Sequence, residues 1–191
     1  LTPFFLGLIA AATISHSINP EATHFLDLYI FSWLNWFGVA VGCFTVSICA
    51  YLASVFALRE TSDRLELNLM IKKSKQTMVF VVITGILVFI TAYLSDIPLL
   101  VWVFSKPIGI IASVSATICL FLILRAMKSE KLFPVRILAG FQVVMILVAA
   151  TYQHNPNIIL LGNGEHLSLL EHAASAKTIS ALGWALVLGS M

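Results

Sequence analysis

What this sequence lacks first is charge. From Trp33 to Leu58 there is no Asp, Glu, Lys, Arg or His, and over all 191 residues only 10% are charged while 60% are hydrophobic. A soluble domain carries about 25% charged residues, so no water-facing surface can be built around this much apolar material. The solvent for most of the chain is lipid. The cysteines are few: Cys43, Cys49 and Cys119 all sit in apolar runs without a CxxC spacing, which excludes a disulfide framework and a cysteine-rich metal cluster. Ten-residue stretches of alternating polarity are missing, which excludes a membrane barrel and leaves helices that satisfy their own backbone hydrogen bonds. A net charge of +2, with its basic residues in short connections, gives no nucleic-acid signature. The class is an all-α, polytopic transmembrane helix bundle, one membrane domain over residues 1–191.

What is present is a series of long apolar runs. Residues 33–58 make a helix of about 39 Å at 1.5 Å per residue, enough to cross a hydrocarbon core of about 30 Å. Trp33 and Trp36 suit the headgroup level at one end, and Arg59 opens a basic connection at the other. Down one side run Gly38, Gly42, Cys49, Ala53 and Ala57, a groove of small residues that lets another helix approach closely. Further full spans are expected at 77–94, at 107–127, opened by Pro107 where the first turn has no donor to lose, and at 137–152. The runs 1–15 and 178–191 are apolar but reach only about 21 Å as helix. They are expected to be partial spans of a fragment truncated at both ends.

The connections are read in the same way. Leu26 to Phe31 is apolar enough to lie along the interface, and residues 59–76 suggest a short helix on the membrane surface built on Leu65, Leu67, Leu69, Met70 and Ile71. Leu99 to Phe104 is too short to cross. Residues 153–177 form a polar connection with Pro156 and Gly162-Asn163-Gly164 as turn signals. Lys plus Arg number zero in 16–32, five in 59–76, one in 95–106, four in 125–136 and one in 153–177. By the positive-inside rule, loops 59–76 and 125–136 are expected to be cytoplasmic and the other three connections external.

Pumps and transporters usually keep ionisable side chains inside their spans, because a buried charge is costly and is retained for ions, protons or substrate. None lies within these apolar runs apart from Arg125, at the basic end of 107–127. The interior polar groups are Thr45, Ser47, Ser54, Thr84, Thr91, Ser113, Ser115, Thr117 and Gln142. Hydroxyls bond back to their own helix, so Gln142 is the best candidate for an interhelical hydrogen bond. The histidines, His16, His24, His154, His166 and His172, all fall in the external connections, and His166 and His172 are off the i, i+4 spacing that shares a helical face. Haem or metal ligation in a bundle needs histidines on facing helices. No residue is therefore assigned to catalysis, to a cofactor or to a metal. The candidates for packing or partner contact are Gly38, Gly42, Gln142, Glu171 and His172.

At the organising span the sequence resembles subunit II of the cytochrome bd-type quinol oxidases. Trp33-Leu34-Asn35, Phe37 and Gly42 match that family's opening, with Trp36 in the place of a proline. Thr61 and Leu65 fit its cytoplasmic turn, with Asp63 where Gly is usual. Leu1-Thr2-Pro3 to Gly7 is similar to the preceding helix. A second likeness runs from Pro156 through Ile158-Ile159-Leu160, Leu167 to Leu170, Ala173-Ala174-Ser175 and Thr178-Ile179, with Leu169 replacing Thr and the gap before Thr178 one residue short.

The resemblance implies a subunit of eight helices in two similar four-helix bundles, of which residues 1–191 hold the third to the eighth. It implies a haem-free accessory chain beside a haem-bearing subunit I and a small single-span subunit, in the bacterial inner membrane. The complex would oxidise a quinol and reduce oxygen to water, with no cofactor in this chain, the haems in the partner subunit, and a bound quinone in the complex. The acidic residues of the family's proton path lie upstream of Leu1. The alternative from the residues alone is a multi-span small-solute transporter or permease.

Overall fold

The structure, a computed structural model, describes all residues except 20, 59–63, 130–131, 169–173 and 190–191. Its helices are α1 (Thr2–Ile14), α2 (Phe25–Tyr29), α3 (Trp36–Ala57), α4 (Arg64–Leu94), α5 (Leu99–Phe104), α6 (Pro107–Lys128), α7 (Leu132–Thr151) and α8 (Ala176–Gly189). A 3-10 turn, Tyr152–His154, prolongs α7, and the short strands β1 (Asn157–Leu160) and β2 (His166–Ser168) precede α8. Four stretches are long and apolar enough to cross a membrane: Trp36–Ala57, Arg64–Leu94, Pro107–Lys128 and Phe133–His154.

Helix α3 begins at Trp36 because Asn35, in extended conformation, caps it: its Oδ1 accepts from the Gly38 amide at 2.6 Å. Trp33 falls outside the helix, in the turn after α2, where its indole Nε1 donates to the Tyr29 carbonyl at 2.6 Å. At the other end the Arg136 guanidinium donates to the Phe56 carbonyl and lies over the Phe56 ring. A cation there offsets the negative end of the helix dipole.

The connection 59–76 differs from its reading as a separate surface helix. Among the described residues, Arg64 to Leu94 is one helix of 31 residues, about 46 Å long. The physical reason is a single seam of residues at alternating spacings of four and three: Leu67, Ile71, Ser74, Met78, Val81, Gly85, Val88 and Ala92. Ser74, Met78, Val81, Val88 and Ala92 are buried along it, and Leu67 and Ile71 pack against the same core. No glycine or proline interrupts the run before Gly85, so nothing breaks the helix where its charges end. The seam lies antiparallel on α3: Ser54 and Thr77 hydroxyls meet at 2.9 Å, and a methyl group at Gly85 would touch the Phe44 ring at 3.3 Å. Helix α7 also starts earlier than its expected span, at Leu132. Pro134 then sits in the first turn, where a missing amide donor costs nothing.

Packing divides into two clusters along the bundle. Toward the end where α3 meets α4 and α6 meets α7, here the basic end, Tyr51, Val55 and Leu58 meet Met78 and Val81, Ile123 and Met127, and Val135 and Ala139. Toward the opposite end, Ala11, Phe37 and Ala40 meet Val88 and Ala92, Leu99, Val103, Ala112 and Ala149. Helix α5 is held across the start of α6, where a methyl group at Gly109 would run into the Val103 carbonyl. A β-hairpin not anticipated from sequence caps this end: β1 and β2 pair antiparallel, and Gly162 donates its amide to the Ile18 carbonyl at 2.8 Å. All the residues of α8 whose side chains are described are exposed.

Candidate functional site

Three polar or close-packed places stand out in this apolar molecule. The first is the crossing of α1 and α3. A methyl group at Gly7 would lie 2.5 Å from Thr45 Oγ1 and 2.7 Å from Gly42 Cα; one at Gly42 would lie 2.8 Å from the Phe4 ring. The backbones meet at the pair Gly7 and Gly42, closer than any side chain permits. Gly38 is buried one turn away against Leu8 and the Trp33 carbonyl. Farther along the small-residue stripe Cys49 and Ala53 are exposed and Ala57 is half-buried. Helix α1 fills the groove along its Gly38–Gly42 half.

The second place is a polar clasp among α3, α6 and α7. The Tyr51 hydroxyl donates to Gln142 Oε1 at 3.1 Å, and Gln142 Nε2 donates to the Ala116 carbonyl at 3.2 Å, with Tyr51 and Gln142 both buried. Gln142 thus uses its amide oxygen toward one helix and its amide nitrogen toward another, which fixes three helices in rotation about their axes. Tyr51 was missed in the sequence. Its signal was there: it is the one phenol within 33–58, and a buried phenol needs a partner.

The third place is the end opposite the basic one. His16 Nδ1 lies 3.2 Å from the Leu161 carbonyl, and the His154 ring meets Trp102 edge-on at 4.5 Å between centroids. Lys106 lies over the Tyr152 ring at 5.8 Å. His24 and His166 are exposed, while half-buried His154 lies close enough to His16 for the two rings to interact electrostatically, and its Nε2 is buried without a hydrogen-bond partner among the described residues. Glu171 and His172 lie outside the described residues.

Chemically this inventory is quiet. Thr45, Ser47, Thr84, Thr91 and Thr117 return their hydroxyls to carbonyls four residues earlier, at 2.7 to 3.0 Å, which satisfies them within their own helices. Among the described residues no group of three His, Cys, Asp or Glu side chains is placed to hold a metal ion. Such an interior can pack, orient and exclude water.

No curated protein matches the chain. A family model described as "Cytochrome bd terminal oxidase subunit II" matches residues 1–191.

Proposed function

We propose a role that proceeds from one fixed point: the chain belongs to the cytochrome bd terminal oxidase subunit II family, and so is a multi-pass membrane subunit of a respiratory oxidase. Within that complex it is the haem-free accessory subunit of a quinol:oxygen oxidoreductase. It supports the haem-bearing subunit I, with a small single-span subunit as a further neighbour, in the bacterial inner membrane.

The observation that carries this reading is the chemistry of the helical interior. Haem ligation inside a bundle needs a strong ligand on facing helices, usually a histidine oriented by a second polar group. No histidine falls within α3, α4, α6 or α7, His154 standing at the very end of the span Phe133–His154; Thr45, Ser47, Thr84, Thr91 and Thr117 return their hydroxyls to their own helices, and Gln142 is engaged on both sides by neutral groups. This donor set does not fit a haem. No step of oxygen reduction is routed through these residues, and their part is to hold a rigid, charge-poor surface on which a partner's cofactors are kept in place and dry.

Quinol is then the substrate of the complex. Phe31, Leu34, Asn35, Trp36 and Val39 line a shallow, open, largely apolar depression. Loops 59–76 and 125–136 face the cytoplasm, because nine of the eleven Lys and Arg residues fall there.

Co-purification tests the role. The full-length chain, tagged and extracted in mild detergent, should bring a haem-containing membrane protein with it. Recovery without one, together with solute flux when the chain alone is placed in liposomes, would move the assignment to a transporter. For the topology, a membrane-impermeant maleimide added from outside should modify Asn163→Cys and leave Lys73→Cys untouched; the reverse pattern would overturn it.

A further inference from the structure

We propose that the basic end of the bundle is a binding surface for the phosphate headgroup of anionic phospholipid. It rests on the membrane placement of the helices and not on the oxidase role.

Counted from the opposite end, α4 runs from Leu94 to Thr77 and α6 from Pro107 to Leu124 without a charge. Each run is about 18 residues, about 27 Å of helix, close to the hydrocarbon thickness. Directly beyond come Lys75, Lys73 and Lys72 on α4, and Arg125 and Lys128 on α6. Cations on two separate helices therefore stand within about 8 Å of the hydrocarbon edge, at the level of lipid phosphates.

Packing keeps them at that level together. Ile71 of α4 and Met127 of α6, each next to a lysine, belong to or pack against one core cluster with Leu58 and Val135. All five cationic residues are exposed, and among the described residues none is drawn into an ion pair. By sequence alone, the stretches 59–76 and 125–136 hold nine Lys and Arg against four acids, a net charge of +5. Two pairs also have the form an amphiphile requires. Lys75 stands one turn beyond exposed Val79, and Lys128 one turn beyond exposed Leu124. Each pair offers an acyl chain an apolar side chain and offers its phosphate a cation on the same helical face.

Free phosphate and lipid phosphate share this chemistry, and the apolar half of each pair favours lipid. The test uses the full-length protein in its native complex, stripped of lipid in detergent. It is titrated separately with dioleoyl phosphatidylglycerol, dioleoyl phosphatidylcholine and inorganic phosphate, reading bound lipid by native mass spectrometry and the melting temperature in parallel. Phosphatidylglycerol should bind at least about tenfold tighter than phosphatidylcholine and raise the melting temperature, with inorganic phosphate doing neither. The variant Lys72→Gln/Lys73→Gln/Lys75→Gln should lose that preference; should it fail to assemble, Arg125→Gln/Lys128→Gln reads the same surface from α6. Equal binding of the two lipids, an equal effect of inorganic phosphate, or a preference that survives in the assembled variants would overturn the proposal.

Discussion

The two halves of the bundle are packed by different means. Near the histidine-bearing end the core holds five alanines, Ala11, Ala40, Ala92, Ala112 and Ala149, beside Phe37, Val88, Leu99 and Val103. Near the basic end Cys119 and Ala139 are the small members of a core otherwise filled by Tyr51, Val55, Leu58, Met78, Val81, Ile123, Met127 and Val135. More elements meet in the first half, because α1 and α5 are added there to α3, α4, α6 and α7. Small side chains let those extra helices in: in lipid there is no hydrophobic drive between helices, and association depends on how closely they pack. In the second half the four spans are not joined by added helices, so longer side chains fill the space and one buried polar clasp sets the helices' rotation.

Substitutions that exchange the two solutions should be the most damaging. Gly42→Leu places a branched side chain where a single methyl group would already be 2.8 Å from the Phe4 ring. It should cost about 3 kcal/mol, the upper end of overpacking penalties, and be read as a lower melting temperature and lower yield of assembled complex. Survival in detergent equal to the parent's would mean that α1 does not seat there. In the other half, Tyr51→Phe leaves Gln142 Oε1 buried without its donor and should cost about 1–3 kcal/mol. A double-mutant cycle isolates the pair: Tyr51→Phe combined with Gln142→Leu should cost less than the sum of the two changes, whereas strict additivity would show that the groups do not interact.

Two smaller effects follow. Asn35→Ala removes the cap of α3 and should cost about 1 kcal/mol, measured as a fall in melting temperature that Asn35→Asp largely restores. Ser74 is fully buried in the α4 seam, and its hydroxyl has no hydrogen-bond partner among the described residues. Ser74→Ala should therefore leave stability unchanged or raise it by up to about 1 kcal/mol. A clear loss of stability would mean that the hydroxyl does meet a partner.

Much of this was legible in the chain. The missing charges between Trp33 and Leu58 mark α3, and the Gly38–Gly42 pair marks a close approach; what the pair could not say is that α1 covers that half of the stripe. The length of α4 was hidden by its own lysines. Lys72, Lys73 and Lys75 end the apolar run and suggest a boundary, but charge marks depth in the membrane, whereas the seam from Leu67 to Ala92 keeps its helical spacing straight through them. Pro134 misled in the same way, since a proline in a first turn reads locally like a break. The hairpin of β1 and β2 escaped for a different reason. Gly162-Asn163-Gly164 is a readable turn, but the hydrogen bond from Gly162 to Ile18 joins residues far apart in sequence, which no local pattern encodes. Gln142 announces a need for partners, and only the packing of three helices supplies Tyr51 and Ala116.

In the proposed role this chain is a subunit of a haem-bearing oxidase and binds no haem itself. A reduced-minus-oxidised visible absorption spectrum, recorded on the native complex and again on the full-length chain isolated from it, tests this most directly. Haem bands are expected in the complex and a featureless spectrum from the isolated chain at the same protein concentration. Haem bands that stay with the isolated chain would contradict it.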